Sequence, residues 1–413
     1  MKKYALAISC FLTCYLSYAA AILIPMDEKQ NNHLKAYGAA FYCLQEEIDV
    51  DWLLNYRGGS FLIPYSDKIL RECSVRGVSF EMISDAQVNQ ILNQISSPSV
   101  NMNVVKLEKA PRIAVYSPKN EFVEDESDAV IAVLEYAEIP FTIIYDEEVL
   151  MGELANYDWL HLHHEDFTGQ IYRFLRRESD YLQAEMQRTT AIGLGYQSVP
   201  AMKYDVAKQI RSFCASGKYL FAMCSGAETF DIALAADGVP INGYSDDEGD
   251  DLSELGKLDY GKSFAFQNFT LGNGRNFSDI NVSGRWGGLE DEFFTLFQFS
   301  AKWDIVPSLL TQNHEYVIHE FHGLTSAFEK NLVKSSALIL GENDDADRVR
   351  YIYGTFGEGH WTYYSGHDPE RGSGRNRGMS RRPLVELHPN SPGYRLILNN
   401  VLFPAAKKKK QKT

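Results

Sequence analysis

The chain has 413 residues, 45% of them hydrophobic, and sets 40 Lys and Arg against 55 Asp and Glu for a formal net charge of −15. That length and apolar share describe a globular protein with ample core for one large extended domain or for two, and they exclude a disordered or fibrous chain. The acidic balance argues against a nucleic-acid partner, because binding to a phosphate backbone rests on clustered Lys and Arg.

Met1-Lys2-Lys3 precede an apolar stretch from Tyr4 to about Leu16 and the small residues Ser17 to Ala21. A basic start, a short apolar core and an A-x-A-like end predict a secretory signal peptide over 1–19, cleaved after Ala19 or a near neighbour. No later segment has the roughly 18 apolar residues that a membrane span needs. The expected location is therefore periplasmic or extracellular. Cys10 and Cys14 fall within the signal, which leaves Cys43, Cys73, Cys214 and Cys224. In an oxidising compartment Cys43 and Cys73 are candidates for a disulfide, whereas no Cys-x-x-Cys pair points to a zinc site.

From Ala21 onward short apolar runs alternate with amphipathic stretches, the pattern of an α/β fold with a mostly parallel sheet. Strands are expected at Ile22 to Ile24, Val50 to Leu54 and Phe80 to Ile83, and helices at Asn32 to Gln45 and Asp85 to Ile95. Arg57-Gly58-Gly59-Ser60 reads as a tight turn. The polar, proline-punctuated Ser96 to Met102 marks a boundary, giving an N-terminal α/β segment over 20–105 and a main domain over 106–404. The second series is more regular: strand Arg112 to Tyr116, helix Asp128 to Ala137, strand Phe141 to Tyr145, helix Glu147 to Leu154 and strand Trp159 to His163. A helix from about Met202 to Ala215 leads into strand Tyr219 to Met223.

Residues about 260–340 have β-rich character, with runs Ser263 to Leu271, Phe293 to Phe299 and Tyr316 to His319. The chain then gives Arg350 to Tyr353, a Gly-Glu-Gly turn at 357–359, strand His360 to Tyr364 and a helix near Tyr394 to Leu402. The acidic run 246–251 and the arginine-rich 371–382 read as solvated loops. A basic tail over 405–413 reads the same way, with weak attraction to anionic envelope surfaces as its alternative.

One segment carries the pattern of a nucleophile elbow. An apolar strand runs from Tyr219 into Cys224, small residues Ser225, Gly226 and Ala227 follow, and an amphipathic helix begins. Such a turn lifts the thiol out of the sheet, and the helix N-terminus favours its thiolate. The bland alternative is a buried small hydrophobe. Near the C-terminus, strand His360 to Tyr364 delivers His367 just past its end, followed by Asp368 and Glu370. His367 is placed to act as general base to Cys224, held in its tautomer by Asp368 or Glu370. His360 reads as structural.

A third cluster, His161, His163, His164, Glu165 and Asp166, runs into Thr168 and Gly169. Strand alternation puts His161 and His163 on one face. Their expected roles are substrate contact through His163 and His164 and oxyanion donation from Ser225, Gly226, Thr168 and Gly169. A transition-metal site through His161 and His163 with Glu165 or Asp166, serving sugar chemistry together with His367, stands as the weaker alternative because no third ligand has standard spacing; no cofactor is expected.

The segment from about Pro111 to Ala405 resembles the class I glutamine-amidotransferase-like fold, in its ThuA-like branch. The likeness rests on Gly217 to Phe230 around the elbow, on Gly357 to His367, and on Pro392 to Leu402. It implies a flavodoxin-like architecture, a mostly parallel sheet with helices on both faces, here with a β-rich insertion. It also implies Cys224 as nucleophile, His367 as base and Glu370 as orienting acid. Two positions depart from the amidotransferase pattern: Ala222 replaces the first glycine of G-x-C-x-G, and His-Asp-Pro-Glu replaces His-Pro-Glu. The whole chain further resembles exported bacterial proteins that carry the label asparagine synthetase B. The motifs of that activity, a processed N-terminal cysteine and an S-G-G-x-D-S-like ATP loop, are absent from this sequence.

Two functions of different class follow as expectations. One is an exported cysteine-dependent hydrolase acting on an amide, ester or glycan-derived substrate. The other is a non-catalytic envelope module that binds a small molecule or carbohydrate in the same cleft.

Overall fold

The computed structural model describes residues 20–117, 128–163, 165–171, 178–239, 241, 258–272, 276–282, 293–304, 306–310, 317–319, 325–343, 347–366, 368–370 and 383–406. The expected signal segment, the acidic run, the arginine-rich loop, residues 407–413 of the basic tail, His164 and His367 lie outside them. The described chain is mixed α/β and builds two sheets.

The first sheet uses β1 (Ala21–Ile24), β2 (Val50–Leu54), β3 (Ser60–Pro64), β4 (Glu81–Ile83) and β5 (Asn103–Leu107), with α1 (His33–Gln45), α2 (Asp67–Val75) and α3 (Asp85–Ser96) between them. Its order is β4-β1-β3-β2-β5, and every pairing is antiparallel. Periodicity found the helices and most strands here, but not β3 or α2. Nor did it find that β5, just past the polar boundary at Ser96 to Met102, completes this first sheet by pairing with β2.

The second sheet begins with β6 (Ile113–Tyr116), α4 (Ala129–Ala137), β7 (Thr142–Ile144), α5 (Asp146–Leu150), β8 (Trp159–Leu162), α6 (Glu178–Gly193), α7 (Val199–Ala215), β9 (Tyr219–Met223) and α8 (Cys224–Ala235). It continues through β10 (Phe293–Leu296), α9 (Pro307–Leu310), β11 (Val317–His319), β12 (Phe328–Glu329), β13 (Leu338–Asn343), β14 (Arg348–Phe356) and β15 (Gly359–Tyr364), and α10 (Pro392–Leu402) closes the chain. The run β7-β6-β8-β9-β15 is parallel throughout. Beyond β15 the sheet continues antiparallel as β14, β13, β10 and β11, with β12 also on β14. The β-rich insertion is thus largely sheet extension. Its first run, Ser263 to Leu271, is not a strand; it makes only isolated bridges at Phe266 and Leu271. There the Asp231 carboxylate on α8 accepts the backbone N–H groups of Phe264, Ala265 and Phe266 at 2.7–2.8 Å, which pins the segment as a buried loop.

Alternation along the parallel strands sorts side chains between two cores, as the period of two requires. Ile113, Val115, Trp159, Phe221, Met223 and Tyr364 face α4 and α10. Ala114, Tyr116, Leu160, Leu162, Leu220, Ala222 and Tyr363 face α7 and α8. Both faces are therefore covered by helices. The first core does not stop at α4 and α10, because the largely buried α1 packs on both and presents its other side to the first sheet. Tyr37 Oη donates to Asn399 Oδ1 at 2.5 Å and Arg395 Nη2 to the Gly58 carbonyl at 2.6 Å, so polar bonds cross the same seam.

Candidate active site

Because β7, β6, β8, β9 and β15 are parallel, their C-terminal ends share one edge, where open α/β sheets position ligands. Tyr116 pairs with Leu162, Leu162 with Ala222, and Tyr364 with Met223. The next residues along each strand, Ser117, His163, Cys224 and Ser365, therefore line that edge.

Cys224 is the first residue of α8 and has φ of +52°. A non-glycine residue in the left-handed region costs on the order of 1 kcal/mol or more, and such strain clusters at functional turns. The turn is made possible by Gly226, whose amide donates to the His163 carbonyl at 3.0 Å. A Cβ at position 226 would lie 1.9 Å from that oxygen. The elbow pattern in the sequence thus corresponds to a strained strand-to-helix turn pressed against the end of β8.

The thiol itself is 0% exposed and its Sγ accepts the backbone N–H of Thr325 at 3.5 Å. Thr325 Oγ1 donates to Glu228 Oε2 at 2.6 Å, and Ser278 Oγ donates to Glu228 Oε1 at 2.7 Å. The Thr325 carbonyl accepts from Gly366 N–H at 2.6 Å. Neither Thr325 nor Glu228 stood out in the sequence. Glu228 lies one helical turn beyond Cys224, which is the one signal that would have singled it out.

His161 in β8 and His163 just past its end meet the carboxylate of Asp128, a residue whose sequence context marks only a helix start. Asp128 caps α4, its Oδ1 accepting from Val130 N–H at 2.7 Å and Ile131 N–H at 3.2 Å. Its other oxygen, Oδ2, lies 3.2 Å from His161 Nε2 and 3.4 Å from His163 Nδ1. All three side chains are buried, and the two rings are 5.9 Å apart by centroids. His161 Nδ1 lies 3.2 Å from the Phe221 carbonyl, which can only accept, so a hydrogen bond there requires the proton on Nδ1. With Nδ1 turned to a carboxylate, His163 favours the tautomer that keeps its lone pair on Nε2, the form a general base takes. Among the described residues no group of three or more His, Cys, Asp or Glu is arranged to hold a metal ion.

No family model matches the chain, and no curated protein matches it. Among solved structures it is similar to two cytoplasmic proteins of Salmonella typhimurium. The first is 10% identical, covers 72% of this chain and all of its own, and has a TM-score of 0.38. The second is 11% identical over 71% of this chain and 99% of its own, with a TM-score of 0.37. A GH42 β-galactosidase from G. stearothermophilus is 12% identical over 62% of this chain and 28% of its own, at a TM-score of 0.27. These likenesses assign the chain neither fold nor activity.

The remaining expected site residues are distributed as follows. His164 and His367 lie outside the described residues, although Gly366 and Asp368, on either side of His367, are placed at the end of β15. Asp368 is buried; its Oδ1 accepts Tyr394 Oη at 3.0 Å and Glu370 N–H at 3.1 Å. Glu370 Oε2 lies 3.3 Å from His388 Nδ1. Both acids expected to orient His367 thus have other contacts, and Asp368 is the more enclosed. The loop expected to donate to an oxyanion is self-contained: Asp166 Oδ1 accepts both the N–H of Thr168, at 2.8 Å, and its hydroxyl. Gly169 adopts φ of +68° against Pro200. With the Gly226 amide on the His163 carbonyl, Thr168 and Gly226 spend these donors inside the fold. A cavity of about 360 Å³ lined by Lys109, Asp158, Lys218 and Tyr219 opens at the opposite, N-terminal edge of the parallel strands, away from the thiol.

Proposed function

We propose that the protein is an exported cysteine-dependent hydrolase whose main domain is flavodoxin-like and class I glutamine-amidotransferase-like, acting on an amide, ester or glycan-derived substrate. The strand order β7-β6-β8-β9-β15, renumbered from β6, is 2-1-3-4-5, the doubly wound order of flavodoxin-like sheets. The observation that carries the chemistry is the strained Cys224 at the N-terminus of α8, with a backbone N–H on its sulfur.

In the reaction so read, the Cys224 thiolate attacks the acyl carbon and forms a thioester. The proton taken up by the imidazole is returned to the departing amine or alcohol. Water then cleaves the thioester, releasing the acid and restoring the thiol. His367 is the base assigned to this step, and Ser225 N–H, in the first turn of α8, supports the oxyanion. His163, just past the end of β8 and 3.4 Å from Asp128 at the start of α4, is a second imidazole at the same edge. The signal peptide expected over 1–19 supports a location outside the cytoplasm, and no described helix is long and apolar enough to cross a membrane.

The test is a panel of amide and ester substrates offered to the wild type and to Cys224→Ala. Turnover should vanish in the variant while stability falls by no more than about 1–2 kcal/mol. Normal turnover by Cys224→Ala would overturn the assignment. The complete burial of the thiol favours one second reading, a non-catalytic envelope module that binds a carbohydrate or small molecule. That reading gains if Cys224 titrates as an ordinary thiol and Cys224→Ala leaves ligand binding intact.

A further inference from the structure

Thr325 touches both halves of the proposed machinery, and it does so from the insertion. Its N–H lies on Cys224 Sγ at 3.5 Å and its carbonyl takes the N–H of Gly366, the residue before His367, at 2.6 Å. Its own position is fixed from α8, because its hydroxyl donates to the fully buried Glu228, whose second oxygen is held by Ser278. Its neighbour Ser326 is clamped too: the Ser326 carbonyl accepts from the buried Arg350 guanidinium. A peptide N–H stabilises a sulfur anion only while it stays aimed at it, and a charge-assisted bond of this kind is roughly twice as strong as a neutral one.

We propose that Thr325, locked by Glu228, is a positioning residue that aims its backbone N–H at the Cys224 sulfur and ties the thiol to the end of β15. The proposal rests on the reading of Cys224 as nucleophile and adds to it a role for the β-rich insertion, which supplies the strap that sets the thiol's reactivity. The Thr325 hydroxyl is spent on Glu228. It acts through the backbone it anchors, so replacing it should change the ionisation of a sulfur it does not contact.

The protein allows that ionisation to be read without a substrate. Burial pushes the Cys43 and Cys214 thiols up to about 12 and Cys73 up to about 11. Below about pH 9 a thiolate ultraviolet difference spectrum, wild type minus Cys224→Ser, therefore reports Cys224. The wild-type midpoint is expected below that of a free thiol, about 8.5. Thr325→Val, which keeps the N–H and loses the hydroxyl, should raise the midpoint by about one pH unit, and Thr325→Ser should restore it. Thr325→Ala serves the same reading should the valine variant not fold. Ser278→Ala should move the midpoint by less than half as much; an equal shift would assign the effect to the Glu228 charge and overturn the proposal. A wild-type wave left unmoved in Thr325→Val removes the positioning role alone. Absence of any Cys224 wave removes the nucleophile reading and the positioning role together.

Discussion

At the level of single residues, two sites set stability in ways that can be measured. Gly226 has no room for a methyl group against the His163 carbonyl, so Gly226→Ala must push α8 from the end of β8. A loss of roughly 1–3 kcal/mol in urea denaturation is expected, in line with other overpacked sites. His33 is buried with Nε2 3.2 Å from the Asp27 carbonyl, and burial first, then the Arg395 guanidinium, pushes its pKa down from 6.5 to about 4. As pH falls, the unfolded chain therefore takes up the proton before the native protein does. Stability present above pH 6.5 is lost progressively down to about pH 4, by roughly 3 kcal/mol from this group. Denaturation of wild type and His33→Asn at neutral pH and near pH 4.5 checks the sign: the variant should lose less on acidification.

Among the elements, the buried contacts of α7 are the test case. Lys203 is 1% exposed; its Nζ donates to Asp146 at the start of α5 at 3.0 Å and to Tyr116 Oη at the end of β6 at 2.7 Å, while Tyr116 donates to Asp146 at 2.6 Å. Removing one partner leaves an unpaired buried charge, so Lys203→Met should cost roughly 3–5 kcal/mol, whereas a Lys203→Met, Asp146→Leu pair should recover part of it. A thermal melt of the two variants decides. Within such elements the sequence was readable wherever burial imposes a period. The strands β6, β8, β9 and β15 appear as apolar runs because they are covered on both faces. Cys224 was recognisable because the elbow is local: strand, cysteine, small residues and helix are contiguous. Thr325 and Asp128 were not, since what they do depends on partners brought by folding, in the case of Thr325 and Glu228 across 97 positions. The aromatic run Ser263 to Leu271 looked like a strand because composition cannot show that Asp231 takes its N–H groups.

For the molecule as a whole, the decisive feature is α1, which faces the first sheet on one side and α4 and α10 on the other. Bridging bonds reinforce it, among them Arg76 Nη1 to the Ala137 carbonyl at 2.9 Å and Glu108 N–H to the Ala405 carbonyl at 3.1 Å. A truncation beginning near Pro111 would expose the flank of α4 and α10, and it is expected to be insoluble or to melt well below the intact chain in calorimetry. The intact chain should show one heat-absorption peak. Ala20 N–H already bonds the Ile83 carbonyl at 2.8 Å, so removal of 1–19 leaves the β1 ladder whole. Sequencing of exported protein should find Ala20 first.

The helix α1 that joins the sheets also carries Cys43, and α2 carries Cys73; both are enclosed thiols in unbridged form. Only the ionised sulfur exchanges disulfides, and once these two are enclosed almost none is ionised at neutral pH. A bridge between them is therefore expected to form only before folding encloses the pair. Protein matured without an oxidase should keep both sulfhydryls indefinitely while native, refuse colorimetric thiol reagents, and surrender the pair to them only in denaturant.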